Sequence, residues 1–185
     1  MKRTLLNFLA FQAGWIACVG SAANGLAWVG LLVVGIVVGL HLAQAARPGQ
    51  ELRLIVLAMV MGLLFDSLLA NSGWLRYAGE GVVAGMAPVW IVAMWALFAT
   101  TLNVSMSWLR DRPVVALLAG AVFGPLSYMA GQRLGGLEFI DFNMAIVALA
   151  LIWALAMPVL MLAASRFDGI RVTDTRLPLA GLTGG

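Results

Sequence analysis

The sequence predicts an all-α, polytopic membrane protein: a single bundle of six transmembrane helices with both termini in the cytoplasm. Three observations carry this. Of the 185 residues, 63% are hydrophobic and only 10% charged, where a soluble domain carries about 25% charged residues. Mean hydropathy is +1.00. Apolar runs of roughly 20 residues, the length that crosses a bilayer, recur along the whole chain between short polar turns. The length suits one bundle and not two domains.

The first helix is expected over about residues 4–21, behind the basic start Lys2-Arg3. A signal peptide competes with it, because Ser21-Ala22-Ala23 could close such a segment. Trp15 fits poorly in a lipoprotein motif ending at Cys18. A retained helix is favoured: Ala10, Gly14, Cys18 and Ser21 make a small-residue ridge suited to helix packing. Asn24-Gly25 turns the chain into a second helix, about 26–45, where Gly35 and Gly39 form a GxxxG pattern for close packing. His41 reads as interfacial. After the polar turn at 47–53, the third helix covers about 52–71 and holds Asp66, the one acid well inside an apolar run. Residues 72–87 read as an interfacial loop.

The fourth helix, about 88–109, carries Thr100, Asn103 and Ser107 at helical spacing with Ala93 and Ala96. This polar face is expected to make helix–helix hydrogen bonds. Arg110-Asp111-Arg112-Pro113 is a sharp turn, with Pro113 suited to the first turn of the next helix. The fifth helix, about 114–132, contains Pro125. The sixth covers about 143–164. Residues 1–165 then form the domain, and 166–185 a polar, mobile cytoplasmic tail.

Basic residues set the orientation. With the N-terminus inside, Lys2, Arg3, Arg47, Arg53, Arg110, Arg112, Arg166, Arg171 and Arg176 lie on the cytoplasmic side, and only Arg76 and Arg133 lie outside. Asp66 is then in the outer half, at the depth of Ser127, Tyr128, Gln132, Arg133 and Trp90. Intramembrane acids are costly and mark functional sites by default. These six residues make the candidate polar cavity, with Tyr128, Gln132 or Arg133 as partners of Asp66. Arg133 lies about 140° around the helix from Tyr128, so it needs the Pro125 kink or snorkelling to reach the same space.

Several chemistries are excluded. One Cys and one His leave no basis for a metal site. No catalytic or phosphate-binding motif is present, and no cofactor is expected. Ser127 has no His on its side of the membrane. The scattered Arg residues form no nucleic-acid patch. The expected partners are the lipid bilayer, a lipid or small-molecule ligand, and other membrane proteins.

Several patches together resemble a family of bacterial inner-membrane proteins without an assigned activity. They are Asn7-Phe8-Leu9-Ala10-Phe11-Gln12 with Trp15 and Cys18, Phe65-Asp66, Pro88-Val89-Trp90 through Ser105 with Trp108-Leu109, and Gly124-Pro125-Leu126-Ser127-Tyr128 with Gly131 and Leu134-Gly135. The resemblance spans nearly all the chain except the tail. It implies an inner-membrane location. It also implies, by association with genes for cyclopropane-fatty-acid synthase-like enzymes and photolyase, an accessory role in membrane-lipid modification or stress response. Size and the motif Ala13 to Ala17 are also similar to substrate-capture subunits of energy-coupling-factor transporters, which implies a small-solute carrier. A scaffold subunit with no site is the third reading.

Overall fold

The computed structural model describes residues 2–171. Six α-helices follow one another: α1 (Lys2–Ala23), α2 (Ala27–Ala43), α3 (Pro48–Asn71), α4 (Val89–Leu102), α5 (Pro113–Arg133) and α6 (Phe142–Arg166). Four of them, α1, α3, α5 and α6, are long and apolar enough to cross a membrane; α2 and α4 are shorter apolar helices. Their outward faces are lined with exposed Leu, Ile, Val and Phe, such as Leu64, Leu68, Phe123, Leu151 and Leu155. No soluble protein exposes this much apolar surface.

Successive helices run up and down, so the bundle has two ends. One carries the start of α1 and the segment after α6, and is called the terminal end. The other is closed by two three-residue strands, β1 (Leu75–Tyr77) and β2 (Leu137–Phe139), paired antiparallel. These strands lie in stretches expected to be plain loops. Each reads apolar, charged, aromatic or apolar, so that Leu75 and Tyr77 turn inward and Arg76 outward. Arg76 faces Glu138 at 3.5 Å in the open.

Helix α4 is the centre of the bundle, with nine of its 14 residues buried and contacts to α1, α2, α3 and α6. It ends at Leu102, well short of the expected Leu109. At 1.5 Å per residue it is about 21 Å long, against a hydrocarbon core of about 30 Å. Turns at 103–106 and a 3-10 turn at Ser107–Leu109 carry the chain on toward α5. Buried irregular backbone needs hydrogen-bond partners from elsewhere in the protein. Here Asn7 of α1 reaches this segment: its Nδ2 donates to the Thr100 carbonyl at 3.1 Å, and its Oδ1 accepts from the Ser105 hydroxyl at 2.7 Å.

The small-residue ridge of α1 packs inward. A Cβ on Gly14 would strike Leu97, and Cys18 lies against Gly30 of α2. The GxxxG pattern of α2 does the opposite of what is expected. Gly35 and Gly39 are exposed, with open space where a Cβ would be. The helix turns Gly30, Val34 and His41 to the core instead, a face about 140° away in the 3.6-residue wheel.

Candidate functional site

Asp66 is completely buried on α3, and three donors converge on its carboxylate. Tyr77 and Tyr128 donate their hydroxyls to Oδ1 at 2.6 and 2.5 Å, and Trp95 donates its indole N–H to Oδ2 at 2.6 Å. Indole can only donate. The four residues come from four elements. Gly62, one turn before Asp66, makes the approach possible: a Cβ there would lie 2.1 Å from the Trp95 ring. Strand β1 delivers Tyr77, and Trp90 supports it by an edge-to-face contact at 6.2 Å and an N–H donated to the Ala78 carbonyl.

Of the residues expected around Asp66, the structure brings Tyr128 into contact and places Trp90 beside Tyr77. Ser127 turns its hydroxyl to the Gly124 carbonyl at 2.7 Å on its own helix. Gln132 and Arg133 are a correction: they stand exposed on the last turn of α5. Gln132 lies a full turn beyond Tyr128 at the end of α5, and Arg133 is also carried around to the surface. Tyr77 lies in a three-residue strand within the stretch expected to be a loop.

Beside this cluster lies an empty space of about 250 Å³. The expected polar cavity is therefore corrected in character. Its walls are apolar and aromatic: Phe11 and Trp15 of α1, Trp90, Trp95 and Phe98 of α4, and Phe123, Gly124 and Tyr128 of α5, with Trp153 of α6. No Lys, Arg, Asp or Glu lines it. Phe123 is 68% exposed, so the space opens sideways between α1 and α5 as a cleft. Trp95 and Trp153 stack at 4.7 Å, with ring planes 12° apart. A Cβ on Gly120 or Gly124 would collide with Trp153, which shows how closely α5 and α6 approach.

The polar face expected on α4 does not exist as one face, because the helix ends before Asn103. Thr100 and Ser107 turn their hydroxyls to the carbonyls of Leu97 and Val104, as Ser and Thr commonly do in helices. Asn103 alone crosses to other elements, and it reveals a second buried acid. Glu51, in the first turn of α3, is completely buried. Its Oε1 accepts from Asn103 Nδ2 at 2.8 Å and from the Gly169 N–H at 2.7 Å, and its Oε2 lies 2.8 Å from His41 Nε2. His41, in the last turn of α2, is thus a buried partner of Glu51. An acid at a helix start is ordinary for a solvated first turn, so nothing in the sequence marks Glu51 as buried.

The first residues expected in a mobile tail are held here. Asn103 donates to the Phe167 carbonyl at 3.2 Å, Arg110 pairs with Asp168 at 2.9 Å, and the Arg47 N–H donates to the Gly169 carbonyl at 2.9 Å. A Cβ on Gly169 would lie 2.3 Å from the Arg47 carbonyl oxygen, so only glycine fits. Burial alone would push the Asp168 carboxyl up. The N–H groups of Arg171 and Ile170 and the Arg110 guanidinium outweigh it and hold the carboxyl below its usual range. The rest of the expected tail, 172–185 with Arg176, lies outside the described residues.

A family model described as a protein of unknown function, DUF2878, matches residues 4–159. No curated protein and no solved structure matches the chain.

Proposed function

We propose, for a chain that belongs to the DUF2878 family of proteins of unknown function, that it is a six-span inner-membrane protein. It holds the apolar chain of a lipid-like molecule in the cleft between α1, α4, α5 and α6, in an accessory role in handling membrane lipids. The observation that carries this reading is the cleft itself: about 250 Å³ of apolar, aromatic-walled space, free of charged side chains and open at the exposed Phe123. A water-soluble solute would find few polar groups to fix it there, whereas ligand sites combine apolar walls with a few placed polar groups. That weighs against the small-solute carrier. A pure scaffold would have no reason to leave such a space unfilled in a tightly packed bundle.

The topology follows from the charges. Among the described residues, Lys2, Arg3, Arg47, Arg53, Arg110, Arg112, Arg166 and Arg171 lie at the terminal end, and Arg76 and Arg133 at the strand end. The positive-inside rule puts the terminal end in the cytoplasm. The short α2 and α4 count as spans because each carries the chain between the two ends of the bundle, with α1, α2, α3 and α6 packed against α4. Reporter fusions after Gly185 and within 79–85 test this; an external C-terminus overturns it.

The cleft is tested by purifying the full chain in detergent and identifying bound molecules by mass spectrometry. An apolar molecule should accompany the wild type and be lost from Ala119→Trp, which fills the cleft from α5. A folded wild type carrying nothing, or a variant that keeps the ligand, overturns the reading.

A further inference from the structure

We infer that the cleft selects a lipophilic cation, an amphiphile with a tertiary or quaternary ammonium head, over neutral and anionic amphiphiles. The inference rests on the cleft reading above and adds the charge of its occupant. Asp66 receives three hydrogen bonds, all from neutral aromatic side chains. Among the described residues, none of the ion pairs involves it. The bundle therefore holds a buried acid with three neutral donors and no basic partner among the described residues.

Two of the three donors are also cleft walls. Trp95 and Tyr128 each present a ring to the cleft while their polar atoms reach Asp66. A hydrogen bond given to a carboxylate polarises the donor and pushes electron density into its ring. Ring faces attract cations, Trp most strongly. The same wall adds Trp15, Trp90, Phe98 and Trp153, so a cationic head meets aromatic faces with an acid one ring behind them. An anionic head meets no basic side chain in the wall, and the unpartnered indole N–H of Trp153 is a neutral donor. The alkyl part of the molecule leaves through the opening at Phe123, toward lipid.

A charge at one ring's distance in protein surroundings is worth about tenfold in affinity. The experiment compares dodecyltrimethylammonium with a neutral amphiphile of the same chain, in neutral maltoside micelles, followed by quenching of the cleft tryptophans. The wild type should bind the cation about tenfold more tightly. Asp66→Asn should bring the two affinities together. Trp153→Leu, which leaves the acid and its donors in place but removes an aromatic wall, should lower cation binding more than neutral binding. Equal affinities in the wild type overturn the cation selectivity and leave the cleft reading standing, as does a preference retained in a folded Asp66→Asn. If neither amphiphile binds the wild type, the cleft reading itself fails.

Discussion

Helix α3 carries two completely buried acids in contrasting surroundings. Glu51, at the terminal end, is held by an imidazole, an amide and a backbone N–H, and the residues around it are tied on by Arg110 and Arg47. Every partner comes from a different segment, so the acid works as a knot joining α2, α3, the end of α4 and the chain after α6. Asp66, at the strand end, has only aromatic partners, and empty space lies behind two of them. A buried acid woven into the backbone supports structure. A buried acid separated from a cleft by rings is placed to act on what enters it.

The largest expected effect is therefore at Glu51. Removing one partner of a buried, fully bonded acid costs about 3–5 kcal/mol, so Glu51→Ala should lose most of its thermal stability in detergent. Stability within about 1 kcal/mol of wild type would end the contrast between the two acids. Next comes Gly62→Ala, whose methyl group would overlap the Trp95 ring. Overpacking of this kind costs about 1–3 kcal/mol, and the displaced indole should show as a shift in tryptophan emission. Tyr77→Phe should cost less, about 1 kcal/mol for one hydrogen bond, because Tyr128 and Trp95 still satisfy Asp66.

The smallest effect concerns pH at the terminal end. Asp168 is held below the usual carboxylate range by N–H groups and Arg110, with Arg171 also 3.7 Å away. Its contribution to stability is present above the unfolded value of about 4 and disappears as pH falls through the lower folded value. Hydrogen exchange at Gly169 and Ile170 should rise on strong acidification in the wild type. Asp168→Asn should exchange faster already at neutral pH and respond less to acid; an unchanged profile would show that Asp168 does not hold the strap.

What could be read from the sequence follows the same division. Asp66 stands out because it interrupts an apolar run, and Tyr128 because it shares the glycine-bearing face of α5. Helices with strong apolar runs are legible for the same reason. The end of α4 is not, because residues 103–109 remain apolar enough to continue a helix and only the tertiary bonds of Asn103 and Asn7 stop it. Tyr77 required recognising a strand of three residues, too short for a periodic signal. Gln132 shares the face of Tyr128 but lies one turn further along α5, and Arg133 lies about 140° around the helix; both stand exposed at its end.

The paired strands have a mechanical consequence. β1 belongs to the α3–α4 connection and β2 to the α5–α6 connection, so they latch the two halves of the bundle on either side of the cleft. Helices α5 and α6 are packed too tightly through Gly120 and Gly124 to part from each other. Any widening of the cleft must swing them together and drag β2 along. The strain then falls on the three-residue ladder, whose inward Tyr77 holds Asp66. Entry of a bulky guest and the grip on that acid are the two ends of one lever.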